Sequence, residues 1–378
     1  MNIRVPLADL DYGDEEETAV LEVLRSKWLT MGATTKKFEQ QFAAKHQASF
    51  ALAVANATVA LHLACVALDI GPEDEVILPS LTFVATANAV LYTGAAVRFA
   101  DIIGPHDLTV DPTSIAAQIT PRTKAIIVMH YAGFPCRMPE IMTLAQENGL
   151  AVIEDAAHAP GAALRGTPLG SWGDVGCFSF FSNKNLATGE GGMLITSRED
   201  VAERVRHLRS HGMTSFTWDR HRGHAYSYDV IDLGYNYRID EIHAALGLVQ
   251  LEKLSHNNQR RAQIATHYRK LLADSAIDLP FLEADGLPSH HIFPIILPQH
   301  VERLRLIGHM RNAGVQTSIH YPPIHQFAYY RRRFGRIEIP KTEAVAAREL
   351  TIPLYPTMHP EMVRYVVETL QKGLEVTE

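Results

Sequence analysis

Residues 173–192 read GDVGCFSFFSNKNLATGEGG. The stretch opens on an apolar, aromatic run, 175–181, with the length and composition of a buried strand. The run breaks at Ser182-Asn183-Lys184-Asn185 and closes on Gly189-Glu190-Gly191-Gly192; Met193-Leu194-Ile195 is apolar again. Lys184 is therefore expected on a turn between two core strands. Taken alone it is equally a solvated loop lysine, the usual fate of the residue type. At the edge of a dry site, burial would lower its pKa and make its amine a nucleophile toward carbonyl carbon.

Upstream lies VIEDAAH, 152–158. An apolar strand ends there in a carboxylate, followed by small residues and a histidine. In open α/β sheets ligands bind outside the carboxyl ends of the strands, although an aspartate there also serves as a helix cap. Asp155 and Lys184 together fit pyridoxal phosphate (PLP). That cofactor requires a lysine for its Schiff base and an acid against its pyridine nitrogen.

Six blocks then line up along the chain: WLTMG (28–32), TFVATANAV (82–90), EDAAHAPGA (154–162), FSFFSNKNLATGEGG (178–192), GYNYRIDEIHAALGLVQL (234–251) and IHYPPIH (319–325). In these blocks and their order the chain resembles the DegT/DnrJ/StrS family of sugar aminotransferases, PLP enzymes of fold type I. The resemblance implies roles for particular residues. Lys184 carries the cofactor and Asp155 keeps its ring nitrogen protonated. His158 lies near the ring oxygen or steadies Asp155. Phe83 stacks on the pyridine ring. Thr58, Ala57 and Ser179 hold the phosphate, with Ala57 standing where the family usually has glycine. Asn236 reaches across a homodimer interface to the phosphate of the other subunit, so that active sites are shared. Trp28 and Thr30 border the substrate pocket, and His320 and Tyr321 of the last block are expected there too. Each residue also has an ordinary explanation: helix cap, core packing, or a turn bonded to its own backbone.

The implied reaction moves an amino group from glutamate, which leaves as 2-oxoglutarate, to a keto-sugar on a nucleotide diphosphate. A non-nucleotide cyclic ketone, such as an inosose of an aminocyclitol pathway, is the alternative. Dehydratases of the family carry histidine in place of Lys184, and a regulator without catalysis would not need the Lys184–Asp155 pair. Tyr329 to Arg336 is the one strongly basic cluster. It is either a solvated face or, through Arg333, a receiver for the diphosphate.

Composition agrees. The 378 residues, 47% hydrophobic, suffice for a large core and a smaller one. A net charge of -7 argues against nucleic acid or an anionic membrane as partner. The three cysteines show neither metal spacing nor a disulfide framework, and no signal-peptide pattern or membrane-length apolar run is seen, so a cytoplasmic location is expected. His207 and His211 stand four apart but lack a matching carboxylate motif, so no metal is expected.

An entry arm (1–13) precedes helices at 15–26 and from 38. Strands are expected at 49–55, 75–79, 97–101, 124–130, 151–155, 175–181 and 193–195, with helices at 59–68, from 82, at 112–118, 138–148 and 198–210. The alternation implies an α/β domain with a mainly parallel sheet flanked by helices. A polar loop spans 212–228. Helices at 240–254 and 258–272 flank a domain boundary near 255. A large domain (1–255) is thus followed by a small α+β domain (256–378), with strands at 291–297, 315–319 and 350–354 and helices at 301–312, 342–348 and 360–373.

Overall fold

The computed structural model describes residues 3–214 and 227–377; residues 215–226 of the expected loop lie outside the described residues. Helices α1 (Asp14–Ser26) and α2 (Ala33–Lys45) open the chain on either side of WLTMG. α2 starts well ahead of Phe38, where the apolar pattern begins. The cause is distant in sequence: the Glu241 carboxylate accepts the N–H groups of Gly32, Thr34 and Thr35 and the Thr35 hydroxyl, at 2.6 to 2.9 Å. It satisfies donors that a helix start otherwise leaves open.

The central sheet draws on β1 (Phe50–Val54), β2 (Glu75–Pro79) and β3 (Ala96–Ala100). A hairpin follows, β4 (Ile102–Gly104) with β5 (Asp107–Val110). β6 (Thr123–Met129) and β7 (Ala151–Asp155) return to the sheet. After the small hairpin β8 (Ala163–Leu164) and β9 (Thr167–Pro168) come β10 (Val175–Ser179) and β11 (Gly192–Thr196). The seven-stranded order is β1-β11-β10-β7-β6-β2-β3. Only β11 runs against the others, so the sheet is mainly parallel, as the alternation implies.

Alternating side chains feed two cores. Ile127, Ile153 and Leu194 face one, with Leu61 and Leu63 of helix α3 (Ala57–Ala67) and Val90 of helix α4 (Val84–Tyr92). Ile126, Val128, Val152 and Met193 face the other, with Phe38 and Phe42 of α2. Burial on both faces explains why these strands read as continuous apolar runs.

One helix of 32 residues, Glu241–Leu272, runs unbroken through the expected boundary near 255. Its residues change allegiance along its length. Leu251 and Leu254 pack into the sheet core, whereas Ile264, Ala265, Tyr268 and Leu272 pack into a C-terminal core. That second core is built on β12 (Phe293–Ile296) and β13 (Glu349–Ile352), an antiparallel pair, with helices Arg303–Asn312 and Pro360–Thr377.

The strand expected at 315–319 forms no ladder; Val315 and Ser318 make single bridges to Val5 and Thr351. The entry arm takes the backbone groups that a neighbouring strand would use. Arg4 and Val5 donate to Gly314 O, and Gln316 donates to Val5 O. Val5 is thereby part of the C-terminal core, while Ile324, Tyr330 and Ile339 cross back into the sheet core. Among the described residues no helix is long and apolar enough to cross a membrane.

Candidate active site

Strands β1, β2, β6, β7 and β10 run parallel, so their carboxyl ends share one edge. A cavity of about 440 Å³ opens there. Ala57 and Thr58 enter it after β1, Phe83 after β2, Asp155 and His158 from β7, and Ser179 and Lys184 from β10. His320 and Tyr321 close it from the C-terminal part of the chain.

Lys184 sits on the β10–β11 connection, its N–H donating to Phe181 O at 2.8 Å. A side chain on Gly192 would meet the backbone of Asn56 and Ala57 at 2.5 to 2.8 Å, so its absence lets β11 lie directly against the α3 start. Burial lowers the Lys184 amine to about 8, with the Asp155 charge opposing the shift. Lys184 Nζ lies 3.3 Å from His291 Nε2.

Asp155 is buried at the end of β7. Its oxygens accept the Thr86 hydroxyl at 2.8 Å and the Ala157 N–H at 3.2 Å. Burial pushes its pKa up, while Thr86, Ala157 and the Lys184 charge pull it back. His158 is bonded elsewhere. Its Nδ1 accepts the Ala132 N–H at 3.3 Å, leaving the ring proton on Nε2, which donates to the Tyr321 oxygen at 2.9 Å. Burial, reinforced by the Lys184 charge, holds this ring well below the ordinary imidazole range and hence neutral.

At the opposite end, Asn56 caps α3 by accepting the Val59 N–H, and the first intrahelical bond is made by Ala60. The Ala57 and Thr58 amides precede that bond and line the cavity, as an anion site requires. Ala57 is absent from the positive-φ residues, so its position does not demand the glycine usual in the family. Ser179 Oγ accepts the Phe181 N–H at 3.3 Å, which leaves its own hydrogen available to an anion. Phe83 is 55% exposed at the cavity mouth, with its ring 5.9 Å from that of Tyr321. Such exposure is not that of a core phenylalanine.

Trp28, Thr30, Asn236 and Arg333 stand outside this cavity of their own chain. Thr30 bridges to Asp240 and lines a different cavity of about 520 Å³ with Arg209 and Arg238. Trp28 packs over Gly32, and Asn236 bridges to Ser210. Arg333 is exposed on the short helix Ala328–Phe334, its guanidinium beside Tyr329 and Phe334. Thr86 and His291, which the sequence reading passes over, contact Asp155 and Lys184 respectively. Thr86 lies within TFVATANAV, and its spacing of four from Thr82 was a helical-face signal; the two hydroxyls are 2.8 Å apart. His291 had no such signal.

These residues fit pyridoxal phosphate. An amine of lowered pKa and a buried carboxylate share one cavity, with amides and a hydroxyl for a phosphate and an exposed phenyl face beside them. The model of the DegT/DnrJ/EryC1/StrS aminotransferase family matches residues 11–371. SpsC of Bacillus subtilis (strain 168), a spore coat polysaccharide biosynthesis protein, is 39% identical over 367 residues, covering 95% of this chain and 94% of its own. PseC of Helicobacter pylori, an aminotransferase involved in the biosynthesis of pseudoaminic acid, superposes with a TM-score of 0.92 at 27% identity, covering 100% of both chains. Spr1654 from Streptococcus pneumoniae, solved in PLP and PMP forms, superposes in the PMP form with a TM-score of 0.93 at 27% identity, covering 99% of this chain and 100% of its own. The architecture is that of fold type I aminotransferases. From the match along nearly its whole length, the chain belongs to the DegT/DnrJ/EryC1/StrS aminotransferase family.

Proposed function

We propose that this chain, a PLP-dependent sugar aminotransferase, takes its amino group from glutamate and delivers it to a keto-sugar carried on a nucleotide diphosphate. The observation that carries the reading is the pairing of Lys184 and Asp155 in one cavity at the sheet's carboxyl edge. The involvement of SpsC in spore coat polysaccharide biosynthesis and of PseC in pseudoaminic acid biosynthesis supports a sugar as acceptor.

Bound pyridoxal phosphate supplies an electron sink that lets a proton leave the donor's α-carbon. The chain's own residues do the rest. Ala57, Thr58 and Ser179 hold the phosphate. Asp155, whose burial-raised pKa is pulled back by the donors Thr86 and Ala157, holds a proton at the ring nitrogen. Phe83 covers one ring face and excludes water. The Lys184 amine, with a pKa of about 8, is close enough to neutrality to accept a proton from carbon and give it back. His158, neutral, holds Tyr321 over the cavity.

Two chains share each site in this reading. Asn236, Trp28 and Thr30 lie outside their own chain's cavity, and apolar residues near them are exposed: Leu29, Val230, Ile231 and Leu233. Exposed apolar residues clustered in this way suit a homodimer seam. Exposed Arg331, Arg332 and Arg333 supply guanidinium groups for a diphosphate.

A panel of nucleotide keto-sugars and an inosose, each incubated with glutamate and analysed by mass spectrometry, tests the reading. An aminated nucleotide sugar with equimolar 2-oxoglutarate is expected. Amination of the inosose alone would replace the nucleotide-linked acceptor.

A further inference from the structure

Behind Lys184, away from the cavity lining, hydrogen bonds run in one direction through three side chains. Pro160 O can only accept, so the Asn258 atom 2.9 Å from it is the amide nitrogen. Asn258 Oδ1 therefore accepts, and its donor at 2.8 Å is Asn185 Nδ2, which also donates to Ser289 O at 2.8 Å. Asn185 Oδ1 is left to accept, and it faces His291 Nδ1 at 2.9 Å. The ring proton of His291 consequently sits on Nδ1. The ring is 3% exposed, and burial, followed by the Lys184 charge, keeps it neutral. Its Nε2 thus carries a lone pair, 3.3 Å from Lys184 Nζ.

The backbone that carries the ring is fixed on both sides, and the Nδ1 bond to Asn185 sets the ring's orientation. His291 N–H donates to Ala132 O at 2.8 Å, and its carbonyl accepts Arg261 Nη1 at 3.1 Å. Buried Arg261 also holds Leu354 O at 2.9 Å. The charged or titratable groups that bear on Lys184 are Asp155, His158, His291 and His320. Of the three histidines, His291 is the one bonded to the amine.

We propose that His291 is a positioning residue for Lys184: its Nε2 engages one N–H of the amine and thereby aims the amine's lone pair into the cavity. The inference rests on the reading of Lys184 as the proton-carrying amine. An amine with no fixed N–H rotates about its last bond, and its lone pair meets the reacting carbon only part of the time; one bond removes that freedom. The same acceptor favours the ammonium over the amine, because a charged donor bonds more strongly than a neutral one.

Two amide substitutions separate aiming from mere packing. His291→Asn places its amide near the Nδ1 position and keeps a group beside Asn185, but leaves nothing opposite Lys184. His291→Gln extends an amide oxygen to the Nε2 position. In full-length protein in the pyridoxamine phosphate form, Lys184 is titrated by acetic anhydride labelling over a pH series with mass spectrometry, alongside kcat and KM. His291→Asn is expected to lose kcat on the order of tenfold with KM little changed. Its half-labelling pH should move below that of the parent. His291→Gln is expected to recover most of both. Equal losses in the two variants, or recovery by asparagine instead of glutamine, would show that the ring only supports the fold and would overturn the proposal. A Lys184→Ala arm guards the underlying reading, since turnover in that variant would remove the role of Lys184 itself.

Discussion

Thr86 Oγ1 lies 2.8 Å from Asp155 Oδ2 and gives that carboxylate its hydrogen. The bond opposes the rise in pKa that burial imposes on this acid, and in the proposed function the ionised form is the one that holds a proton on a ring nitrogen. Thr86→Val removes the donor at nearly constant volume. The Asp155 pKa should rise, and the acid limb of the kcat profile should move to higher pH. At neutral pH the loss should be about tenfold, the worth of one buried hydrogen bond to a charge. An acid limb that stays in place in Thr86→Val would dissociate the bond from function.

Asp155→Asn removes the charge and keeps the shape. Turnover should fall by roughly 3 kcal/mol of transition-state stabilisation, the usual scale for one preorganised electrostatic partner. Cofactor should still bind through Ala57, Thr58 and Ser179. Titration with pyridoxal phosphate followed by single-turnover kinetics measures the two separately.

Lys184→Ala should prevent borohydride from fixing the cofactor to the protein. Peptide mass mapping after reduction checks this directly. A modified peptide spanning 173–192 is expected from the parent and none from the variant.

Glu241 closes the first turn of α2 from the far side of the chain. Burial alone would raise its pKa, but donors from Thr35 and Thr34 outweigh it and leave the acid below its ordinary value. A carboxyl depressed on folding contributes stability above its unfolded pKa and loses it as pH falls through the folded value. Glu241→Gln should therefore cost about 2 kcal/mol near pH 7. The gap to the parent should shrink below the ordinary carboxylate range. Denaturant unfolding at several pH values gives both numbers.

The proposal that two chains share each site has a complementation test. Asn236→Ala and Lys184→Ala variants are mixed under conditions where subunits exchange. Hybrid dimers then hold one site with both lesions and one with neither, and activity should rise above that of either parent variant. Proven exchange without recovery would mean that each site is built from one chain.

Much of this was legible in the sequence, for physical reasons. β2, β7 and β10 are buried on both faces and so announce themselves as apolar runs. Asp155 and Lys184 follow from where those runs end. The start of α2 was not legible, because its capping acid belongs to another helix. Nor was the fate of 315–319, whose partner is the entry arm at the other end of the chain. His291 escaped because its role depends on which atoms of Asn185 and Asn258 accept. The helix Glu241–Leu272 reads as two because its apolar stripe serves first one core and then the other.

The pairing of Val5 with Val315 bears on how the molecule is made. A ribosome releases chain at about 5–20 residues per second, amino terminus first. The entry arm therefore emerges ahead of the sheet strands yet has no partner until Gly314 and Gln316 follow them. His320 and Tyr321, which close the cavity, are released just afterwards. Asp155 and Lys184 thus precede their roof in order of synthesis, and the partner of the entry arm and the roof over the site arrive together.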